Sequence, residues 1–454
     1  MQLARREDTR RRLLVVAESR CPENIPLLQE AVKLRLEAAR LLGYQTHAEF
    51  VLEDNMAKDP ASVLRFENDL HERLGTLADK ELGELEALKR ADKEAAGERY
   101  EGLFHWDFRY YANLAKERKH SIREDEVRQY FPMAEVVRGV LDIYQETLGL
   151  RFVRVDGPPV WHPDVEMYEV WEADGDEFVG HFYLDLYPRA GKYNHACVNP
   201  LRSGFQRPDG SREYPAAAML ANFPKPTPSA PALLAHDDVL TLLHEFGHVF
   251  HHLCTKTRWA HFALDGVQMD FVEAPSQLLE NWGWEPAVLR RLAVHHKTGE
   301  PIPEDLVERL VAAKNEGSGL SNLRQIFFGL YDMAIHNTRD GDVDVCALYR
   351  TLREQITRFA GTSESTCGAA TFGHLLGGYD AQYYVYLWAK VFSADMYESR
   401  FKRDGLADPQ TGLDYRREIL QPGGARDAMD SMVRFLGRKP NNRAFLHSIG
   451  CETE

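Results

Sequence analysis

His244 and His248 stand four residues apart in the run His244-Glu245-Phe246-Gly247-His248. On a helix that spacing projects both imidazoles from one face, where they can bind a single metal ion. The apolar run Val239-Leu240-Thr241-Leu242-Leu243 just before them supports a helix. Glu245, beside the pair, is a candidate general base. A catalytic Zn²⁺ ordinarily takes three protein ligands and keeps a position for water, so a third ligand is needed. Glu273, in Asp270-Phe271-Val272-Glu273, supplies it from a new apolar-periodic segment containing Phe271, Leu278, Leu279 and Trp282. The five-residue pattern alone also arises by chance on amphipathic helices, and the acidic block on a second helix is what favours a site. His251 and His252 follow at the wrong helical phase to join the ligands, and read as groups behind them, facing substrate or at the surface.

A third block runs Phe372-Gly373-His374-Leu375-Leu376-Gly377-Gly378-Tyr379-Asp380-Ala381-Gln382-Tyr383-Tyr384-Val385-Tyr386. The glycine pair permits a mobile or tight loop, and Asp380 is placed to cap a helix running on through Trp388 and Phe392. Tyr379, Tyr383 and Tyr386 recur at helix-compatible spacing, and such a stripe is ordinarily core. Tyrosine hydroxyl and histidine N–H groups are also the donors that stabilise the oxyanion formed when water attacks a peptide carbonyl. Spacing alone leaves both readings open.

Taken together, the chain resembles the thimet oligopeptidase family of zinc metallopeptidases. The resemblance is carried by Gly180 to Arg189, Ala218 to Phe223, the motif at 244–248, Asp270 to Trp282, and the run 372–388, and it extends from Arg20 nearly to the C-terminus. It implies a mainly α, zincin-type fold with a small β-sheet beside the active site and a deep substrate channel. It further implies one Zn²⁺ per chain on His244, His248 and Glu273, with Glu245 as general base. His374, Tyr379, Tyr383 and Tyr386 would be donors to substrate and transition state, and the reaction would be hydrolysis of internal bonds in short peptides. Two departures accompany the match. The family carries a long helical segment ahead of the region resembling 1–40, where it helps wall the channel, and this chain begins without it. Phe262-Ala263-Leu264-Asp265-Gly266 stands where relatives tend to read Phe-Ser-Gly-Thr, so the loop between the two metal-binding helices is shaped differently.

The remaining sequence must position these groups. Residues 1–150 read as helices: Leu27, Ala31, Leu34, Ala38 and Leu41 form one stripe, and Asp59-Pro60 opens a second helix faced by Val63, Phe66, Leu70, Leu74 and Leu77. Lys80 to Glu98 is dense in charge and reads as a solvated helix face. Residues 151–235 form a small sheet and a connector. There Met167–Glu172 and Phe178–Asp185 flank Ala173-Asp174-Gly175-Asp176 as a hairpin, and Lys225 to Pro231 is rich in proline. An exposed edge of that sheet would bind an extended peptide through its main chain, or the sheet would serve as support alone. Residues 236–454 carry the metal-binding helices and the tyrosine loop, closing with a helix at Asp427–Leu436 and a turn at Arg438 to Asn442.

Composition narrows the function classes. With 454 residues and 44% hydrophobic content, the chain can bury a large core. A formal charge of −15 argues against nucleic acid or an anionic membrane as partner. Six scattered cysteines without a C-x-x-C pair suggest neither a disulfide framework nor a cysteine metal site, and point to a reducing cytoplasm. Neither a signal h-region nor a bilayer-spanning run is visible. The reading is a cytoplasmic, monomeric zinc metalloendopeptidase acting on short peptides. Its rivals are a non-catalytic peptide-binding protein and a zinc aminopeptidase, which shares the H-E-x-x-H logic.

Overall fold

The computed structural model describes residues 1–227, 230–361 and 366–451. They are predominantly helical, with one small mixed sheet, and divide into two units, each assembled from separated stretches. Met1–Ser121, Asn315–Trp388 and Leu446–Glu454 form the first unit; Ile122–Lys314 and Ala389–Phe445 form the second. Of the proline-rich connector, Pro228 and Ser229 lie outside the described residues.

The first unit is built on the helix Pro60–Ala95, which opens as its sequence dictates. The Asp59 side chain accepts from Ser62 N, and proline fills the first position, where no N–H is required. Val63, Leu70, Leu74, Ala78 and Leu85 are buried along one face, against which the helix Ser318–His336 packs. The charged stretch 80–98 is not wholly solvated. Lys89 is buried and donates to Asp107 Oδ2 at 2.6 Å and Glu7 Oε1 at 2.7 Å, while Arg10 binds the other Asp107 oxygen at 2.6 Å. Glu81, also buried, accepts from Gly319 N and Leu320 N, satisfying N–H groups that the start of Ser318–His336 would leave orphaned. The helix Asn24–Leu41 forms, yet it buries Leu28, Val32, Leu36 and Ala39. Leu27, Leu34 and Leu41, expected on its inner face, are exposed. Leucine, valine and alanine occur around most of this helix, so periodicity does not fix its phase.

The second unit contains the sheet. Strands β1 (Leu150–Arg154), β2 (Glu166–Glu172), β3 (Phe178–Asp185), β4 (Cys197–Arg202) and β7 (Ala216–Leu220) lie in the order β1-β2-β3-β7-β4. The short strands β5 (Phe205–Gln206) and β6 (Arg212–Glu213) pair separately. The hairpin expected around Ala173 to Asp176 joins β2 and β3 in antiparallel register, with Tyr168 opposite Phe182. β3 and β7 run parallel. Phe152 and Phe182 present their rings to Phe246 and Phe250 of the helix His236–Cys254, Phe152 stacking on Phe250 at 4.9 Å between centroids. Burying each such ring contributes about 1.5–3 kcal/mol, and it fixes which face of that helix turns away from the sheet.

Cysteine usage departs from the sequence reading at one pair. Cys346, at the start of the helix Val345–Thr357, is disulfide-bonded to Cys367 across 21 residues, with Cα atoms 5.2 Å apart. Cys21, Cys197, Cys254 and Cys451 are free thiols. The helix expected at Asp427–Leu436 spans Ala428–Leu436, with the Asp427 side chain accepting from Met429 N as its cap, and a further short helix, Arg443–Ser448, follows it.

Candidate active site

The helix His236–Cys254 starts where Asp238 accepts from Ala235 N at 2.8 Å, and its rise places His244 and His248 one above the other. The helix Met269–Glu280 packs beside it at very short range. A Cβ on Gly247 would lie 2.5 Å from Ser276 Cα, so glycine at the fourth position of the motif is what lets the two backbones meet. That approach delivers Glu273. Its Oε2 lies 3.2 Å from His244 Nε2 and 3.2 Å from His248 Nε2, and the two nitrogens are themselves 3.2 Å apart. A tetrahedral ion with ligand bonds of about 2.0–2.1 Å spaces its ligands about 3.3–3.4 Å apart, so the three atoms fit one coordination sphere. This is the group of metal-ligating side chains found among the described residues.

Hydrogen bonding around the trio favours the same conclusion. His244 Nδ1 lies 2.8 Å from Glu280 Oε1, so Nδ1–H donates to the carboxylate and Nε2 keeps its lone pair for a ligand bond. Ser276 Oγ donates to Glu273 Oε2 at 3.1 Å and holds that carboxylate in place. Two imidazole lone pairs and a carboxylate converging on one point repel unless a cation stands between them. A proton can play that part in a metal-free chain. Burial disfavours a charged imidazole at 244, yet the adjoining carboxylates of Glu273 and Glu280 hold its pKa well above the usual range. Burial would likewise raise Glu273, but the charge of His248 and hydrogen bonds from both histidines hold it well below the ordinary carboxylate range. Metal and protons therefore compete for one site.

Glu245 is buried beside the ligands without being one of them. Its Oε2 has no hydrogen-bond partner among the described residues. Burial raises its pKa; His248 and His244 oppose the rise, and Glu273 and Glu280 add to it. A carboxylate tuned upward and left unpaired is what proton transfer near neutral pH requires. Cys197, at the start of the edge strand β4, is raised by burial and then by the charge of Glu245.

His374, Tyr379, Tyr383 and Tyr386 belong to the first unit, where they form one aromatic cluster. The Tyr379 and Tyr386 rings stack at 5.3 Å, and His374 lies 5.2 Å from Tyr383 and 5.7 Å from Tyr386. The segment is not the helix that its spacing suggests. Residues 380–384 are turns, Ala381 sits at φ 58°, and the helix begins only at Val385. Asp380 does not cap it; its carboxylate binds His47 Nε2 at 2.6 Å and Arg35 Nη2 at 3.1 Å. The strained turn is held instead by Asp332, which accepts from Ala381 N and Tyr383 N, each at 2.9 Å, and from His336 Nδ1 at 2.7 Å.

His251 and His252 are both buried, so neither is a surface group. His252 Nε2 meets Arg202 O at 2.9 Å, and both ring nitrogens of His251 lack partners among the described residues. Sequence reasoning misses Glu280 and Asp332. Glu280 lies seven residues after Glu273, two helical turns along the same face, and that spacing is a signal that could find it. Asp332 acts on a loop some fifty residues away, and no local pattern announces it.

The family model described as Peptidase family M3 matches residues 1–451. A thimet-like oligopeptidase of Dictyostelium discoideum is 40% identical over 98% of this chain and 67% of its own length. Saccharolysin of Saccharomyces cerevisiae is 38% identical over the whole chain and 65% of its own length. Oligopeptidase A of Salmonella typhimurium is 37% identical over 94% of the chain and 62% of its own length. The chain thus spans about two thirds of the curated relatives it matches. Among solved structures, an M32 carboxypeptidase from Deinococcus radiodurans aligns with TM-score 0.57 at 15% identity, over 97% of this chain and 77% of that one. PZ peptidase A aligns with TM-score 0.58 at 12% identity, over 98% of this chain and 67% of that one. At such identity these two speak for the fold alone.

Proposed function

The chain belongs to peptidase family M3, and on that premise we propose that it is a zinc-dependent oligopeptidase cutting internal bonds of short peptides. The observation that carries the reading is the convergence of His244 Nε2, His248 Nε2 and Glu273 Oε2 at 3.2 Å, beside a buried, unpaired Glu245. Two imidazoles and a carboxylate suit Zn²⁺, which when bound supplies Lewis acidity for water and for the scissile carbonyl. Glu245 takes the proton of the attacking water and passes it to the leaving amine. Glu280 holds the His244 ring in the ligand tautomer, and Ser276 orients Glu273. The edge strand β4 suits an extended peptide, whose main chain it would bind irrespective of side chains.

In this reading His374, Tyr379 and Tyr386 act as donors to the substrate and the developing oxyanion, while Tyr383, whose hydroxyl donates to Gln325 Oε1 at 3.0 Å, positions substrate. Their gathering into one cluster, on a turn clamped by Asp332, supports a shared task. No described helix is long and apolar enough to cross a membrane. The reading is completed by a cytoplasmic monomer with one zinc per chain. Retention of each ligand and of the base favours turnover over a peptide-binding protein without catalysis. Metal content and cleavage products of a mixed short-peptide pool test it: about one zinc per chain with internal cleavage is the expected result. Zinc without cleavage, or trimming from the N-terminus alone, would overturn it.

A further inference from the structure

The first unit carries a half-open cavity of about 820 Å³ whose wall includes His374 and Tyr383. That volume lies in the usual range for ligand sites. Its charge is opposite to that of the chain. Arg20, Arg109, Arg324 and Arg353 line it against one acidic residue, Glu18, in a protein of formal charge −15. Glu18 is already committed, because both terminal nitrogens of Arg353 and Thr366 Oγ1 donate to its carboxylate.

Arg324 has no such counter-ion. Its half-buried guanidinium lies over the Phe328 ring at 4.6 Å, and among the described residues no carboxylate or carbonyl reaches it. Burial, with the charges of Arg109 and Arg353 nearby, works against its protonated form. His105 lines the same space with a buried, unpartnered Nδ1. The neighbouring Gln325 accepts from the Tyr383 hydroxyl at 3.0 Å, which ties this wall to the tyrosine cluster. A cation kept from water beside like charges is costly unless an anion joins it.

We propose that this cavity is a subsite for a carboxylate of the peptide substrate, with Arg324 as its counter-ion, flanked by Arg109 and His105. The planar guanidinium matches a carboxylate with two parallel hydrogen bonds, a geometry that lysine does not offer. The proposal rests on the peptidase reading for the identity of the ligand as a peptide. Its carboxylate comes either from the C-terminus or from an aspartate or glutamate side chain.

The test is equilibrium binding by fluorescence anisotropy on the Glu245→Gln protein, which keeps every residue of the cavity and in which turnover is expected to be slowed by at least about 10², with intact peptide checked at the end of each titration. Three labelled heptapeptides are compared: a neutral sequence with a free C-terminus, its C-terminal amide, and the amide carrying one internal glutamate. Tighter binding of the free acid by about tenfold, abolished in Arg324→Gln and partly kept in Arg324→Lys, supports a C-terminal source. The same pattern for the glutamate peptide alone supports a side-chain source. Equal binding of all three overturns the proposal, and needs no variant at 324. So does an Arg324→Gln protein that weakens all three alike, which would make Arg324 a packing residue. Cleavage of the same peptides by the unmutated protein is read separately. Turnover with equal binding sinks the subsite and leaves the peptidase reading standing. Carboxylate preference without turnover does the reverse.

Discussion

Glu280 offers a sharp test of how the metal site is built, because it touches a ligand without being one. Its carboxylate accepts the His244 Nδ1–H at 2.8 Å with 37% of the side chain exposed. Glu280→Gln keeps an acceptor and removes only the charge. Hydrogen bonds to charged groups contribute about 1.5–3 kcal/mol and neutral ones about 0.5–1.5, so the exchange removes about 1 kcal/mol before screening. Exposure of more than a third reduces that to about 0.5–1 kcal/mol, a twofold to fivefold rise in the zinc Kd. Glu280→Leu removes the acceptor, frees the ring to turn and lets the wrong tautomer form, and should cost about 10–100-fold. Glu273→Ala deletes a ligand and should exceed both. Competition against a chromophoric chelator at fixed pH measures all three, and turnover at saturating zinc should return in the Glu280 variants alone. A Glu280→Leu protein that binds zinc as the wild type does would show that the hydrogen bond does not orient His244. Wild-type affinity in Glu273→Ala would place the third ligand elsewhere.

Glu245→Gln should keep its zinc and lose at least about 10² in kcat, since general-base assistance is gone; near-normal turnover would reject the mechanism. Tyr386→Phe keeps the stack on Tyr379 and deletes one hydroxyl, so kcat should fall by roughly 10² while Tm barely moves. Unchanged kcat with a lowered Tm would make Tyr386 a packing residue. Burial, then the charges of His248 and His252, pushes His251 down to about 3, against about 6.5 in an unfolded chain. Between those values only the unfolded chain holds the proton, so this contribution is complete above about pH 6.5 and is lost as pH falls. His251→Leu should flatten the acid side of the stability curve by up to about 1.4 kcal/mol per pH unit. Parallel curves for the two proteins would refute the assignment.

What is legible in the sequence is local. The ligand spacing and the helical period are both properties of a few consecutive turns, so the order of residues alone points to His244, His248 and the segment bearing Glu273. The β2–β3 hairpin follows from two alternating runs around a turn. The failures are of a different kind. The helix Asn24–Leu41 has apolar side chains around most of its circumference, and only its neighbours decide that Leu28 is buried and Leu27 exposed. Lys89 reads as solvated until Asp107 and Glu7 are brought to it from elsewhere in the chain. Tyr379, Tyr383 and Tyr386 do gather, but not for the helical reason that their spacing suggests. Their cluster depends on a left-handed Ala381 that Asp332 holds from a distant helix. The Cys346–Cys367 bond is likewise a matter of two remote segments meeting.

Gly247 changes how transferable this site is. In a pattern written H-E-x-x-H, two positions are nominally free, yet here Phe246 is buried against the sheet and Gly247 admits Ser276 of the neighbouring helix. All five residues are therefore specified: two for the ion, one for the proton, one for the layer behind and one for the helix alongside. A designer who copied only the histidines and the glutamate onto another amphipathic helix would obtain two ligands aimed at bulk solvent. The carboxylate of the third would stay out of reach, held off by whatever side chain replaced the glycine.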